Sequence, residues 1–169
     1  FSTENWKRSN EEVTAIMNLL SQYIVKAREH FVEETRIVFV GDKSAFPEDM
    51  RQQMISVEND TRHFDKMTLL IAVNYGGRDE IKNAAKLISR KVKEGKLDID
   101  DITEETVSEH LYTNEFPDVD LLIRPSGELR ISNYMIWQCA YAEFYFSDVL
   151  WPDFLPGELN KALHSYAAR

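Results

Sequence analysis

Apolar positions along the chain change their spacing several times, and each change marks an element. Val13, Ile16, Met17, Leu20, Ile24 and Phe31 recur three and four residues apart, which predicts a helix over residues 9–34 with one apolar stripe. Ser9 followed by Glu12 has the spacing at which each side chain caps the other's backbone N–H. "RIVFVGD" at 36–42 is a continuous β-branched and apolar run that ends in Gly-Asp, the mark of a buried strand. Pro47 opens a second helix that runs to about residue 63. "MTLLIAVNYGG" at 67–77 is a second buried strand ending in a glycine turn. Residues 78–95 form a third helix, with acids early, bases late and Gly95 at the end, as the helix dipole and C-cap favour. A further helix is expected in "TEETVSEHLYT", a third strand in "VDLLIR", a fourth in "AEFYFSD", and a last helix from near Pro156. Strands that alternate with helices and are apolar on both faces argue an α/β fold. The expectation is a parallel sheet flanked by helices, with strands at 36–41, 68–74, 120–124 and 142–147. No repeat, low-complexity tract or linker interrupts the pattern, so residues 1–169 read as a single domain.

Composition narrows the class. Hydrophobic residues make up 43% and charged residues 29%, as in soluble globular proteins. A net charge of −9 argues against a nucleic-acid surface while leaving room for a local basic pocket. Cys139 is the sole cysteine and sits in the apolar "WQCAYAEF", which fits a core position and a reducing, cytoplasmic compartment. No apolar run approaches the roughly 20 residues of a membrane span, and no signal peptide is visible.

In open parallel sheets ligands sit beyond the carboxyl ends of the strands, and the unusual residues collect there. In "LLIRPSGELRISN" a strand runs into Arg124, followed by Ser126, Gly127, Arg130 and Ser132. Two guanidinium forks, hydroxyls and a glycine form a plausible diphosphate cradle. The alternative is that both arginines pair with structural acids such as Glu128 or Glu143, because buried charges are paired in some way. Asn74, Tyr75, Gly76, Gly77 and Arg78 follow the second strand, but Asn-Gly and Gly-Gly steps are common turn formers. In "FSTENWKRSNEE", Asn5, Trp6 and Arg8 precede the helix cap and could close over an anion; on sequence chemistry alone an ordinary lead-in loop with a packed Trp is the favoured reading. The stripe of the following helix reads as plain core before it reads as the wall of a lipid tunnel. Glu143 alternates into the apolar "YAEFYF" and must pair, bind metal or reach an interface. The four histidines show no zinc-ligand spacing.

Taken in order, "FSTENW", "NYGGRDEI", "RPSGELRISN" and "WQCAYAEFYFSDVLWPDF" resemble the cis-prenyltransferases, most closely the bacterial undecaprenyl diphosphate synthases, over nearly the whole chain. The resemblance implies repeated condensation of isopentenyl diphosphate onto an allylic diphosphate, usually farnesyl diphosphate, with each new double bond cis. The product would be a long polyprenyl (undecaprenyl) diphosphate. It implies Mg²⁺ as cofactor and a homodimer in the cytoplasm, at most peripherally membrane-associated through the lipid product. By the same resemblance Arg124, Arg130 and Ser132 hold isopentenyl diphosphate. Trp6, Arg8 and Glu12 belong to a mobile loop and helix start that close over substrate, and Asn5 occupies the position linked to proton removal. Glu143 is tied to Mg²⁺ and to the dimer contact. Some members carry a metal-assisting His where this chain has Leu129. Members also place an Asp-Gly-Asn-Gly-Arg motif, with the main Mg²⁺ ligand, ahead of "FSTENW", and an Arg-rich tail at the C-terminus. Both lie outside these 169 residues, and with the first go two N-terminal strands of the family sheet, one of them central, so a truncated domain with a gap in its sheet, inactive by itself, is expected. A non-catalytic scaffold subunit of such an enzyme, or an unrelated α/β anion-binding module, are the competing readings. An intact "RPSGELRISN" speaks against the scaffold.

Overall fold

The computed structural model describes residues 1–30 and 34–169, in two units, Phe1–Glu80 and Ile81–Arg169. The first unit begins with a 3₁₀ turn (Thr3–Lys7) and continues with α1 (Asn10–His30), β1 (Thr35–Val40), α2 (Glu48–Thr61) and β2 (Met67–Ala72). The continuation expected for α1 through Phe31 lies outside the described residues. Ser9 and Glu12 cap α1 reciprocally, as their spacing requires: the Glu12 N–H donates to Ser9 Oγ, and the Ser9 N–H and hydroxyl donate to Glu12 Oε2. Pro47 is the cap residue of α2 rather than its first turn.

β1 and β2 are parallel, in register from Thr35 opposite Met67 to Val40 opposite Ala72. The core lies between this pair and the helices. Ile24 of α1, Met50, Met54 and Val57 of α2, and Ile37, Phe39 and Val73 pack into one buried cluster, edged by Met17, Leu20 and Ile71. Each large side chain fully removed from water contributes about 1.5–3 kcal/mol. α2 also serves the backbone of β1. Thr61 Oγ1 accepts the Ile37 N–H at 3.0 Å and donates to Val57 O at 2.9 Å. Glu58 Oε1 accepts the Phe39 N–H at 2.8 Å and the Lys43 ammonium at 2.7 Å. Two edge donors of β1 are thus satisfied by side chains.

The second unit takes in most of α3 (Gly77–Lys93), then α4 (Glu104–Ser108), β3 (Leu121–Arg124), β4 (Glu143–Phe146) and α5 (Pro156–Ala167). α3 ends as Gly95 predicts, with φ +68 at the glycine and the Lys96 N–H reaching back to Lys91 O at 2.9 Å. α4 is shorter than the expected 103–113. Thr103 caps it, but after Ser108 the bonds tighten to three-residue turns, His110 N–H to Val107 O and Leu111 N–H to Ser108 O. β3 and β4 are parallel, from Leu121 opposite Glu143 to Arg124 opposite Phe146. Cys139 is a buried free thiol, as its apolar context implies.

The α/β class and the parallel pairing therefore stand. Among the described residues the strands form two two-stranded parallel pairs. No described helix is long and apolar enough to cross a membrane.

Candidate functional site

In the first unit the residues ahead of α1 are tied to the end of β2. Ser2 bridges Tyr75 in parallel, the Tyr75 N–H donates to Phe1 O, and the Thr3 N–H donates to Tyr75 O. The Asn5 side chain folds back on this turn: its Oδ1 accepts from the Ser2 N–H at 2.7 Å and from the Ser2 hydroxyl at 2.8 Å. A backbone N–H can only donate, so the amide oxygen must face Ser2 and the Nδ2 donors face away. Trp6 packs edge-on to Phe1, with ring centroids 5.0 Å apart, and lies 6.0 Å from Phe46. Its indole N–H donates to Asn74 Oδ1 at 2.7 Å. Arg8 and Glu12 are both half exposed and 3.6 Å apart, a contact weak enough to exchange for a ligand.

Of these residues Phe1, Asn5 and Arg8 rim a pocket of about 430 Å³, lined further by Ile16, Leu19, Leu20 and Tyr23. Ile16, Leu19, Leu20 and Tyr23 follow the one-face spacing of a helix. This face lies beside the stripe of α1, which packs as core through Met17, Leu20 and Ile24. Ile24 is buried and Leu20 packs at the cluster's edge, while Leu19 is 54% and Tyr23 64% exposed along the pocket. One end of this pocket offers an amide donor and a guanidinium, the other only hydrocarbon and a phenol ring. That combination suits an amphiphile with an anionic head.

In the second unit β3 delivers Arg124 into a loop with φ positive at Ser126, Gly127, Ser132, Asn133 and Met135. The loop is held from both sides. The Ser126 N–H donates to Val149 O at 2.8 Å and the Gly127 N–H to Ser147 O at 2.9 Å. Arg124 Nη1 donates to Arg130 O at 2.6 Å and to Ser132 Oγ at 3.0 Å. Arg124, Arg130 and Ser132 are thus brought together, as their sequence spacing suggested. The ion-pair alternative holds for one arginine only: Arg130 pairs with Glu128, while Arg124 meets only neutral acceptors among the described residues and keeps its charge uncompensated.

Glu143 meets one of its three expected fates, since it has an ion-pair partner. As the first residue of a short strand it is exposed, and its carboxylate lies 3.6 Å from Arg169. Leu129 is 78% exposed. The described residues hold no cluster of three potential metal-ligating side chains. Asn5, Trp6, Arg8 and Glu12 lie in the first unit, and Arg124, Arg130, Ser132 and Glu143 in the second. Sequence reasoning passed over Ser2, although Ser-x-x-Asn has the spacing of a side-chain-capped turn, and gave Asn74 only a turn-forming role.

Comparison with known proteins identifies the family of the chain. The family model describing undecaprenyl diphosphate synthases matches residues 1–169. An isoprenyl transferase of Clostridium perfringens is 44% identical over the whole of this chain and 67% of its own length. A farnesyl-diphosphate-specific ditrans,polycis-undecaprenyl-diphosphate synthase of Haemophilus influenzae is 45% identical over the whole chain and 71% of its own. Among solved structures, lavandulyl diphosphate synthase of Lavandula x intermedia, in complex with dimethylallyl diphosphate, superposes with a TM-score of 0.92 at 39% identity, covering all of this chain and 74% of that one. A protein of Campylobacter jejuni described as a probable undecaprenyl diphosphate synthase gives 0.86 at 37% identity, covering all of this chain and 77% of that one. The chain thus spans about two thirds to three quarters of the length of these relatives.

Proposed function

Because the chain belongs to the undecaprenyl diphosphate synthase family of cis-prenyltransferases, we propose that it carries substrate sites of an enzyme that condenses isopentenyl diphosphate onto farnesyl diphosphate. The allylic carbon–oxygen bond breaks, a carbon–carbon bond forms to isopentenyl diphosphate, one proton is lost, and repetition gives a long polyprenyl diphosphate. The observation that carries this reading is the pocket beneath the N-terminal turn, with Asn5 and Arg8 at its polar end and Ile16, Leu19, Leu20 and Tyr23 along α1. Its two ends match an isoprenoid tail and a diphosphate head.

Arg8 supplies a positive charge to the head, and Asn5 supplies N–H donors. With Oδ1 committed to Ser2, the amide is suited to hold a phosphate oxygen rather than to accept the departing proton. Glu12 keeps Arg8 near the rim and caps α1. Arg124, Arg130 and Ser132 hold the diphosphate of the isopentenyl substrate. Mg²⁺ typically takes one or two carboxylates together with substrate phosphates; Glu143, exposed and 3.6 Å from Arg169, would supply one such carboxylate. The ion would neutralise charge that develops on the leaving diphosphate.

The test separates tail from head. Leu19→Arg sets a charge in the apolar trough at a half-exposed position that the fold tolerates. It is expected to weaken farnesyl diphosphate binding about tenfold or more while leaving inorganic diphosphate binding nearly unchanged. Equal losses for both ligands would remove the tail-binding role.

The active form is a cytoplasmic homodimer, touching membranes only through its lipid product. Phe144 is 46% and Trp151 71% exposed beside the half-buried Tyr145 and Phe146, an aromatic face of the kind that interfaces cover. Sedimentation of the full-length protein is expected to give a dimer that Trp151→Glu shifts toward monomer, and a wild-type monomer would contradict this assembly.

A further inference from the structure

We propose that Asn74 is a positioning residue that sets the substrate-facing turn by latching the indole of Trp6; this rests on the reading of the pocket above. Asn74 lies just past β2, is buried to 5% exposure and has φ +45. That backbone region is uncommon outside glycine, and asparagine is among the residues that enter it most readily. Its amide spans three segments. Oδ1 accepts from Trp6 Nε1 at 2.7 Å, and Nδ2 donates to Asp42 O at 2.9 Å. Both bonds have a fixed sense, because an indole only donates and a carbonyl only accepts. The side chain at this position must therefore offer one acceptor and one donor at opposite ends within one short reach. Aspartate and leucine fail on the donor, and a longer glutamine displaces both.

The consequence lies in what Trp6 controls. The rings of Phe1 and Phe46 hold the indole by apolar contact, which is tolerant of sliding. The bond to Asn74 is directional and fixes where along those rings the indole stops. Asn5 precedes Trp6 directly, and the Arg8 N–H closes the same turn onto Asn5 O at 3.1 Å. Both residues line the pocket. Fixing Trp6 thus fixes the direction in which an amide and a guanidinium meet the anionic head, although Asn74 itself does not line that pocket.

The test uses the full-length protein. Asn74→Gly keeps the left-handed backbone and deletes both bonds, while Trp6→Phe deletes only the indole donor and keeps ring packing. Each is expected to raise the KM for farnesyl diphosphate about tenfold, as loss of one buried hydrogen bond allows, and to leave the KM for isopentenyl diphosphate in place. The double variant should be no worse than the poorer single one, because both remove the same contact. With ¹⁵N-labelled tryptophan, the indole resonance that Trp6→Phe abolishes is expected to exchange its proton about tenfold faster in Asn74→Gly. Unchanged indole exchange, or additive effects in the double variant, would overturn the latch. If Asn74→Gly fails to fold, Trp6→Phe decides alone: a lowered melting temperature with unchanged KM would show the indole to be structural and overturn the proposal. A protected indole in a protein that does not bind farnesyl diphosphate would support the latch and refute the reading of the pocket.

Discussion

Gly41→Ala is expected to lower the melting temperature of the protein by at least about 5 °C and to remove its activity with it. Gly41 has φ +125, a conformation that side chains rarely adopt. A Cβ there would stand 2.0 Å from the carbonyl oxygen of Val73, 3.1 Å from its carbon and 3.3 Å from Asn74 O. The obstacle is backbone, so no rotamer change relieves it. The Val73 carbonyl is fixed because the Val73 N–H donates to Val40 O at 2.9 Å, joining the ends of β1 and β2. Backbone strain of about 1–3 kcal/mol and overpacking of about 1–3 kcal/mol add to a large fraction of a typical domain stability of about 5–15 kcal/mol. The chain must then part the strand ends, and Asn74 moves with them. Scanning calorimetry measures the loss. A wild-type melting temperature would mean that the strand ends open freely at Val73.

The second large effect falls on Arg124. Its guanidinium donates to Arg130 O and Ser132 Oγ, so it both closes the loop and brings an uncompensated charge to it. Arg124→Ala removes both contributions. Charge-assisted bonds are worth about 1.5–3 kcal/mol each, so kcat/KM for isopentenyl diphosphate is expected to fall about 10²–10³-fold. Arg130→Ala should cost less, because Arg130 already spends part of its charge on Glu128. Arg124→Lys should fall between, since it restores charge without the planar fork. The melting temperature should move little in each case, as these bonds lie at the surface. Unchanged kinetics with a lowered melting temperature would instead make Arg124 a purely structural clasp.

Much of this was legible in local pattern. The Ser9–Glu12 cap, the end of α3 at Gly95 and strand bounds within a residue or two follow from side-chain periodicity and backbone preference, which act over a few residues. The gathering of Arg124, Arg130 and Ser132 was legible because one short loop holds all three. What was not legible depends on contacts between distant segments. Nothing local says that Glu58 and Thr61 will take the Phe39 and Ile37 N–H groups. Alternation placed Glu143 among buried neighbours, but a strand of four residues leaves its first side chain outside. The exposed Leu19 and Tyr23 beside the α1 stripe were not legible, because periodicity marks an apolar face without saying what covers it. Asn74 looked like a turn former because its partners, Trp6 and Asp42, lie 68 and 32 residues away.

The claim that these residues serve cis-prenyl transfer is tested most directly by incorporation of radiolabelled isopentenyl diphosphate. The full-length protein is supplied with farnesyl diphosphate and Mg²⁺, and extracted lipid is resolved by chain length. Label should enter long polyprenyl diphosphate with the wild-type protein and fall at least about a hundredfold with Arg124→Ala. Absence of labelled product from folded wild-type protein, or equal product from the Arg124→Ala variant, would show that this loop does not hold the substrate being added.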